Sequence, residues 1–298
     1  MKAPARCKNC SQLIEQKKQQ RVMRKKTSLA CFALCVQLLF CSRTLHSPIP
    51  LPDGSTHGHA HNDYEHKRPL LDALEHGFTS IEADIHVLDG QLYVAHDKED
   101  IDPSRKLTSL YLDPLQAFLK KNKSVWAKGT PCFLFIDIKS DADSTLTLLE
   151  PLLRRYKSML SECTGTGGIQ RAVTVVLTGN RPVERMKNQT KRFAALDGRM
   201  EDLDKNESRL LIPIISGKWG DFFTWHGQGP MPAKEHSRLL DLVRKAHQSG
   251  RRIRFWATDV AAGEDQAVLW SVLYNAGVDL INTDKLEALR AFLLAQGN

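Results

Sequence analysis

The stretch SIEADIHVLDGQLYVAHD, residues 80–97, places two carboxylates on one face of an otherwise apolar strand. Glu82 and Asp84 are two positions apart, so in a β-strand their side chains point to the same side. Burying unpaired charge is costly, and both carboxylates therefore need a partner inside the fold. The Leu-Asp-Gly turn that follows lets the second half of the stretch return either as a hairpin strand or as a further strand of the main sheet.

From residue 54 onward, short β-rich runs alternate with amphipathic segments. The candidate strands are Thr56–His61, Ser80–Val87, Gln91–His96, Phe133–Ile138, Val173–Thr178, Leu210–Ile215, Ile253–Thr258 and Val278–Thr283. The candidate helices are Pro69–Gly77, Thr147–Leu160, Glu235–Gly250 and Asp265–Gly277. Strands that alternate with helices indicate parallel βαβ units. We therefore predict an α/β fold, a (β/α)8 TIM barrel with one irregular strand, over residues 46–298.

The histidines gather near the start of this domain, where HGHAHNDYEH spans residues 57–66. The cluster is compatible with a metal site, an acid/base site or a surface run, since imidazole serves both chemistries. His61 ends the first strand and His96 ends the return of the 80–97 stretch, so we predict these two as a catalytic acid/base pair. His59 lies one layer deeper, where it either orients His61 or shares its role.

A hard divalent cation is the simplest compensation for Glu82 and Asp84, because carboxylate oxygens are its preferred ligands. Asp137 lies within the apolar run FLFIDIK, so its carboxylate also requires compensation, and we expect the same cation to supply it. The alternatives are an ion pair from Glu82 or Asp84 to a Lys or Arg on a neighbouring strand, and a private pair between Asp137 and Lys139. Further strand ends contribute polar or aromatic groups, and the predicted substrate contacts are His59, Asn62, Lys139, Asn180 and Trp256.

The E-x-D, hairpin and H-D arrangement resembles the superfamily of glycerophosphodiester phosphodiesterases and phosphatidylinositol phospholipase C-like TIM barrels. HNDY, VVLTGNRP, RFWATD and GVDLINTD are similar to its subgroup named for altered inheritance of mitochondria protein 6. The resemblance covers residues 57–290. It implies a phosphoric diester hydrolase with Ca²⁺ or Mg²⁺ held by Glu82, Asp84 and Asp137. It further implies catalysis by His61 and His96, with Lys139 near the phosphate.

The chain departs from the typical diesterase pattern at one place, because it has H-N-D-Y where that pattern has H-R-G followed by P-E-N-T. The expected substrate is therefore a small-molecule or lipid phosphodiester, with the glycerophosphodiester one option among several. Two other functions remain open. One is a non-catalytic barrel that binds a sugar or lipid headgroup through Trp219, Trp225 and Trp256. The other is a zinc amidohydrolase built on His59 and His61, with Asp284.

The basic character of the chain is confined to its start. Residues 1–45 hold ten of the 42 Lys and Arg and one of the 34 acidic residues, which leaves 32 basic and 33 acidic residues beyond them. A near-neutral body lacks the basic patch of a nucleic-acid binder, so no nucleic-acid partner is expected. The apolar run Ser28–Cys41 after Arg24-Lys25-Lys26 predicts a signal peptide or an uncleaved membrane anchor. We expect the protein to be exported or anchored to a membrane through this segment.

Overall fold

The structure of the protein, a computed structural model, describes residues 57–122, 125, 131–164, 167–259 and 264–297. The predicted leader at residues 1–45, with its signal or anchor segment, lies outside the described residues and stays a prediction. None of the helices in the described ranges is long and apolar enough to cross a bilayer.

Eight parallel strands close into a barrel. They are β1 (Gly58–Ala60), β2 (Ser80–Leu88), β4 (Cys132–Ile138), β7 (Val173–Gly179), β9 (Ala194–Gly198), β10 (Ile214–Lys218), β11 (Arg252–Trp256) and β12 (Leu280–Thr283). The ring closes because β1 pairs with both β12 and β2. A further strand, β3 (Gln91–Val94), pairs antiparallel with β2. The strands β5 (Glu162–Thr164), β6 (Gly167–Ile169) and β8 (Lys191–Arg192) form a separate small sheet.

Helices follow most of the barrel strands. They are α1 (Leu71–Glu75), α2 (Asp113–Asn122), α3 (Ala142–Arg155), α4 (Val183–Lys187), α5 (Trp219–Phe222), α6 (Ala233–Gln248), α7 (Glu264–Asn275) and α8 (Leu286–Gln296). The apolar faces of the longer helices and the outward side chains of the strands form one continuous core. Inside the barrel, Phe135 and Ile214 belong to a second, smaller apolar cluster.

The predicted (β/α)8 barrel is confirmed, and the open question about the 80–97 stretch is resolved in favour of a hairpin. Because β3 is not a barrel strand, the eighth strand had to come from elsewhere. It is β9, which the sequence did not reveal because Asp197 and Gly198 are residue types depleted in strands. The predicted strand at Leu210–Ile215 was wrong at its start: β10 begins at Ile214, after Pro213, which lacks the N–H that a ladder needs.

The helix boundaries also required correction. The predicted helix at Thr147–Leu160 begins earlier, at Ala142, because the Asp141 side chain accepts a hydrogen bond from the Ser144 N–H and caps it. It ends at Arg155. Helices α2, α4, α5 and α8 were not among the candidate helices, although Leu286, Leu289 and Leu293 of α8 repeat at helical spacing and are buried.

Asp63, in the HNDY segment, ties the chain that leaves β1 to the helical turn before α2. Its Oδ2 accepts hydrogen bonds from the Leu70 N–H at 2.5 Å and from the Tyr111 hydroxyl at 2.9 Å. Asp63 is fully buried, and Oδ1 has no partner among the described residues. Burial raises the pKa of Asp63 to about 7, although both hydrogen bonds oppose the shift.

This environment predicts a pH-dependent stability. Because the pKa of Asp63 is higher in the folded than in the unfolded chain, the folded state holds its proton more tightly. The contribution of the Asp63 proton to the free energy of unfolding is complete below about pH 4 and is lost as the pH rises through about 7. The change is on the order of a few kcal/mol. In Asp63→Asn this dependence should disappear, which urea unfolding at a series of pH values would measure.

Asp100→Asn, at an exposed position, is the matched control and should retain the wild-type profile. If the difference in unfolding free energy between wild type and Asp63→Asn stayed constant from pH 4 to 8, ionisation of Asp63 would not be its cause.

Candidate active site

A cavity of about 590 Å³ opens at the carboxyl ends of the barrel strands, where enzymes of this architecture hold their substrates. Its lining includes His61, His96, Glu82, Asp137, Lys139 and Trp256, six of the residues singled out from the sequence. The remaining wall comes mainly from the ends of β9 and β10 and from helix α5, with Arg199, Lys218 and Phe222 among its residues. The cavity therefore combines carboxylates, histidines and cations.

Strand register brings the three predicted metal ligands together. Asp84 on β2 lies directly beside Asp137 on β4, and Glu82 is one inward position below Asp84. One oxygen from each of the three carboxylates lies within 4.8 Å of one from each of the others. Oδ1 of Asp84 and Oδ1 of Asp137 are buried and have no hydrogen-bond partner among the described residues.

The alternative compensation by basic side chains is also present. Lys139 Nζ lies 3.0 Å from Asp84 Oδ2 and 3.1 Å from Asp137 Oδ2. Arg254 on β11, a residue that sequence reasoning did not select, lies 2.8 Å from Glu82 Oε2. The predicted ion pairs thus exist, but each uses only one oxygen of its carboxylate.

The negative charge that Lys139 and Arg254 leave on the three carboxylates favours a divalent cation. Burial raises the pKa of Asp137, the nearby Asp84 and Glu82 carboxylates raise it further, and Lys139 only partly opposes them. The pKa of Glu82 is held well below its ordinary value, because Arg254 and His59 outweigh the effect of its burial. Three carboxylates, with two buried oxygens that have no hydrogen-bond partner among the described residues, suit a hard cation with oxygen ligands. The residues present therefore fit Ca²⁺ or Mg²⁺.

Gly179, at the end of β7, explains part of the VVLTGNRP motif. It adopts a left-handed conformation with φ of 68°, and a Cβ at this position would lie 1.9 Å from Asp137 Oδ1. Any side chain would therefore displace the carboxylate, so glycine is required by both its backbone and its neighbour.

His61 is oriented by a carboxylate from the opposite end of the chain. Its Nδ1 lies 2.7 Å from Asp284 Oδ1, and its main-chain N–H donates to Thr283 O, which continues the pairing of β1 with β12. Burial lowers the pKa of His61, but the Asp284 hydrogen bond and the charges of Glu82 and Asp284 leave it raised overall. With Nδ1 engaged, Nε2 is the nitrogen available for proton transfer.

His96 has the same arrangement with a different carboxylate. Its Nδ1 lies 3.0 Å from Asp84 Oδ2, and the Tyr64 hydroxyl lies 2.8 Å from the same oxygen. Burial and the Asp84 charge raise the pKa of Tyr64 well above its ordinary value, so the phenol stays protonated as a donor. About half of the His96 side chain is exposed. Asp84 thus joins the predicted metal cluster to the second histidine.

His59, predicted as a substrate contact, is fully buried inside the barrel and does not line the cavity. Its Nδ1 lies 2.6 Å from Ser80 Oγ and its Nε2 lies 2.7 Å from Glu82 Oε2. Burial, and then the charge of Arg254, lower the pKa of His59 to about 4, so the ring is neutral. It supports Glu82 and does not orient His61, whose Nδ1 is held by Asp284.

Of the other predicted substrate contacts, Asn62 and Asn180 lie outside the cavity lining, and Trp256 belongs to it. Asn62 faces the Tyr64 hydroxyl at 2.9 Å, and the Asn180 amide donates to the carbonyls of Lys139 and Ser140. Neither lines the cavity; both hold the segments that do. Trp256 does line it, with its ring 5.7 Å from Lys218 Nζ.

Trp219 and Trp225, proposed above as aromatic contacts for a sugar or lipid headgroup, are packed in the core. The Trp219 ring is fully buried, and its Nε1 donates to the Trp225 main-chain oxygen at 2.7 Å. Of the three tryptophans in that alternative, Trp256 alone reaches the cavity.

The orientation of His61 yields a test. In Asp284→Asn the acceptor loses its charge, so the pKa of His61 should fall, which NMR titration of the imidazole would detect. Asp279→Asn is a matched control, since Asp279 accepts from His247 Nε2 at 2.8 Å in the same way. It should leave His61 unchanged. An unaltered His61 titration in Asp284→Asn would remove Asp284 from this role.

Comparison with known proteins finds a matching family model and similar curated proteins. Residues 54–197 match the family described as the AIM6-like phosphodiesterase domain. Altered inheritance of mitochondria protein 6 of Eremothecium gossypii is 29% identical over 269 residues, which are 80% of this chain and 69% of the relative. A homologue of that protein from Arthroderma benhamiae is 28% identical over 274 residues, which are 82% of this chain and 84% of the relative.

Among solved structures, the barrel is similar to a calcium-dependent phosphoinositol-specific phospholipase C from a Gram-negative Pseudomonas species, described in apo form and as a myoinositol complex. The TM-score is 0.51 with 12% identity, over 78% of this chain and 90% of that one, a likeness that shows the fold. These matches confirm the predicted resemblance: the chain folds as a (β/α)8 barrel, is similar to altered inheritance of mitochondria protein 6, and over residues 54–197 is similar to the AIM6-like phosphodiesterase domain.

Proposed function

We propose that the protein is a metal-dependent phosphoric diester hydrolase that uses His61 and His96 as its acid/base pair. One observation supports this most directly. Two histidines, each with its Nδ1 against a carboxylate, line the cavity that also holds the three-carboxylate cluster. Proton transfer at two points and neutralisation of an anion are the two requirements of phosphodiester cleavage.

His61 is assigned as the base. Asp284 accepts the proton on Nδ1, which leaves the lone pair on Nε2 to take a proton from the nucleophile, a substrate hydroxyl or a water. Asp284 also stabilises the imidazolium that results. His96 is assigned as the acid. Its Nδ1 contacts the Asp84 carboxylate, and its Nε2 donates a proton to the leaving alkoxide.

Glu82, Asp84 and Asp137 would hold the divalent cation, which when bound neutralises phosphate oxygens and the charge that develops on phosphorus. Calcium is the first choice, because the ligands are all oxygens and the similar phospholipase C is described as calcium-dependent. Mg²⁺ is the alternative. An all-oxygen set argues against the zinc amidohydrolase, which uses histidine ligands.

The cations of the cavity suit an anionic substrate. Lys139 lies beside the carboxylate cluster, where it can bind a phosphate oxygen, and Arg199 and Lys218 line the far wall. We propose a small-molecule or lipid phosphodiester with a polar alcohol, such as a glycerophosphodiester or phospholipid headgroup. Trp256, more than one-third exposed, provides an apolar surface at the rim.

Activity on bis(p-nitrophenyl) phosphate tests the catalytic pair. His61→Ala and His96→Ala should each reduce kcat by about 10²–10⁴-fold, the usual contribution of a positioned acid or base. His247→Ala is a matched control, because His247 also pairs with an aspartate, but at the opposite end of β12. Full activity in both mutants, with wild-type folding by circular dichroism, would refute the proposed pair.

Calcium titration tests the cation site separately from catalysis. We expect saturable binding by isothermal titration calorimetry, weakened at least tenfold in Asp137→Asn. Asp259→Asn serves as control, since Asp259 is also partly buried near the mouth but bonds Thr283 and the Asp284 N–H instead of joining the cluster. A wild-type protein that binds neither Ca²⁺ nor Mg²⁺ would contradict metal dependence. Asp137→Asn with undiminished affinity would contradict the ligand set.

A further inference from the structure

A second cavity lies at the other end of the barrel, where the strands begin. Its volume is about 380 Å³, and it opens between the first residues of β4, β7, β9 and β11 and the small sheet of β5, β6 and β8. The lining is mostly apolar, with two arginines, and includes Phe133, Ile169, Leu210, Pro213, Arg209 and Arg252. None of these residues belongs to the candidate active site.

Arg252, the first residue of β11, forms one wall of this cavity. Its guanidinium lies 4.6 Å from the centroid of the Phe133 ring, a cation–π contact. No hydrogen bond or ion pair of this guanidinium occurs among the described residues. The charge of Asp279 acts on this guanidinium, but Asp279 Oδ2 already accepts from the Ile253 N–H at 2.9 Å and lies 2.8 Å from His247 Nε2.

Arg209 forms the adjoining part of the rim. It is exposed and packs against Gly250, and its side chain likewise has no acidic partner within the described part of the chain. The acidic residue of the lining, Glu162, is neutralised by Lys191 at 2.6 Å. The cavity therefore carries an excess of positive charge beside an apolar wall.

Of the two arginines, Arg252 has the less favourable electrostatic environment. Burial lowers its pKa, and Asp279 only partly restores it. A partly buried guanidinium that has no acceptor among the described residues gains from an anionic partner, because its planar fork matches two oxygens of a carboxylate or phosphate.

We propose that this cavity is a binding site for an amphipathic anion, a carboxylate or phosphate monoester joined to an apolar chain. The anionic group pairs with Arg252 and Arg209, and the chain packs against Phe133, Leu210 and Ile169. Ligand sites generally combine an apolar lining with a few polar groups, and this volume lies within their range of roughly 300–1,000 Å³. The site is separate from the mouth, so it stands or falls independently of the proposed diesterase activity.

Fluorescence titration of the full chain with 11-(dansylamino)undecanoic acid tests the site. We expect saturable binding that dodecanoate or dodecyl phosphate displaces. Arg209→Gln and Arg252→Gln should each weaken binding at least tenfold, whereas Arg244→Gln, an exposed arginine on α6, should not. The methyl ester of the probe, which lacks the charge, should bind at least tenfold more weakly than the acid.

Two substitutions of opposite charge at one exposed position strengthen the test. Ile169 is half exposed on β6, so both Ile169→Glu and Ile169→Lys should fold. The glutamate should repel the probe and the lysine should retain it. Arg209→Gln, also at an exposed position, guards against misfolding of the Arg252 variant.

Three results would overturn the proposal: no saturable binding, equal binding of acid and ester, or equal affinity of the arginine variants and wild type. Loss of binding in Lys218→Gln, with the arginine variants unaffected, would place the probe in the active-site cavity and would refute the second site as well.

Discussion

Inside the barrel, the Arg254 guanidinium lies 2.8 Å from the Glu82 carboxylate, and both side chains are almost completely removed from water. Such a pair is expensive to desolvate, and losing one partner costs about 3–5 kcal/mol because the other charge is then left buried alone. The barrel surrounds the pair with further polar groups: His59 Nε2 lies 2.7 Å from Glu82 Oε2, and Ser216 accepts from Arg254 at 3.1 Å. This network forms the floor on which the active-site cavity rests.

Above that floor, Asp84 is the residue that joins the two halves of the proposed chemistry. Its Oδ2 contacts His96, Tyr64 and Lys139, while its Oδ1 has no hydrogen-bond partner in the described part of the chain. A carboxylate divided in this way can position an acid through one oxygen and serve a cation through the other. The proposed metal ligands and the proposed acid/base pair are therefore one connected arrangement.

The two ends of the barrel offer contrasting electrostatics. At the mouth, carboxylates and cations alternate, and most basic groups there are already paired. At the opposite end, Arg209 and Arg252 face a largely apolar cavity without an acid of their own among the described residues. The proposed diesterase site and the proposed anion site thus lie at opposite ends of one fold, and the packed barrel interior separates them.

The sequence by itself determined the alternation of strands and helices and the shared face of Glu82 and Asp84, because these depend on local spacing. It left open whether the strand after β2 forms a hairpin or joins the barrel, and the structure decided for the hairpin. The sequence also indicated Asp137, His61 and His96, since each ends or nearly ends a strand. Only the tertiary structure decided which partner each group receives. Closure of the barrel places β12 beside β1, and so brings Asp284 to His61 across 223 positions of sequence. The same closure directs Arg254 to Glu82 and buries His59 beneath the cavity, because a side chain's depth in a barrel depends on strand register, which no local pattern records.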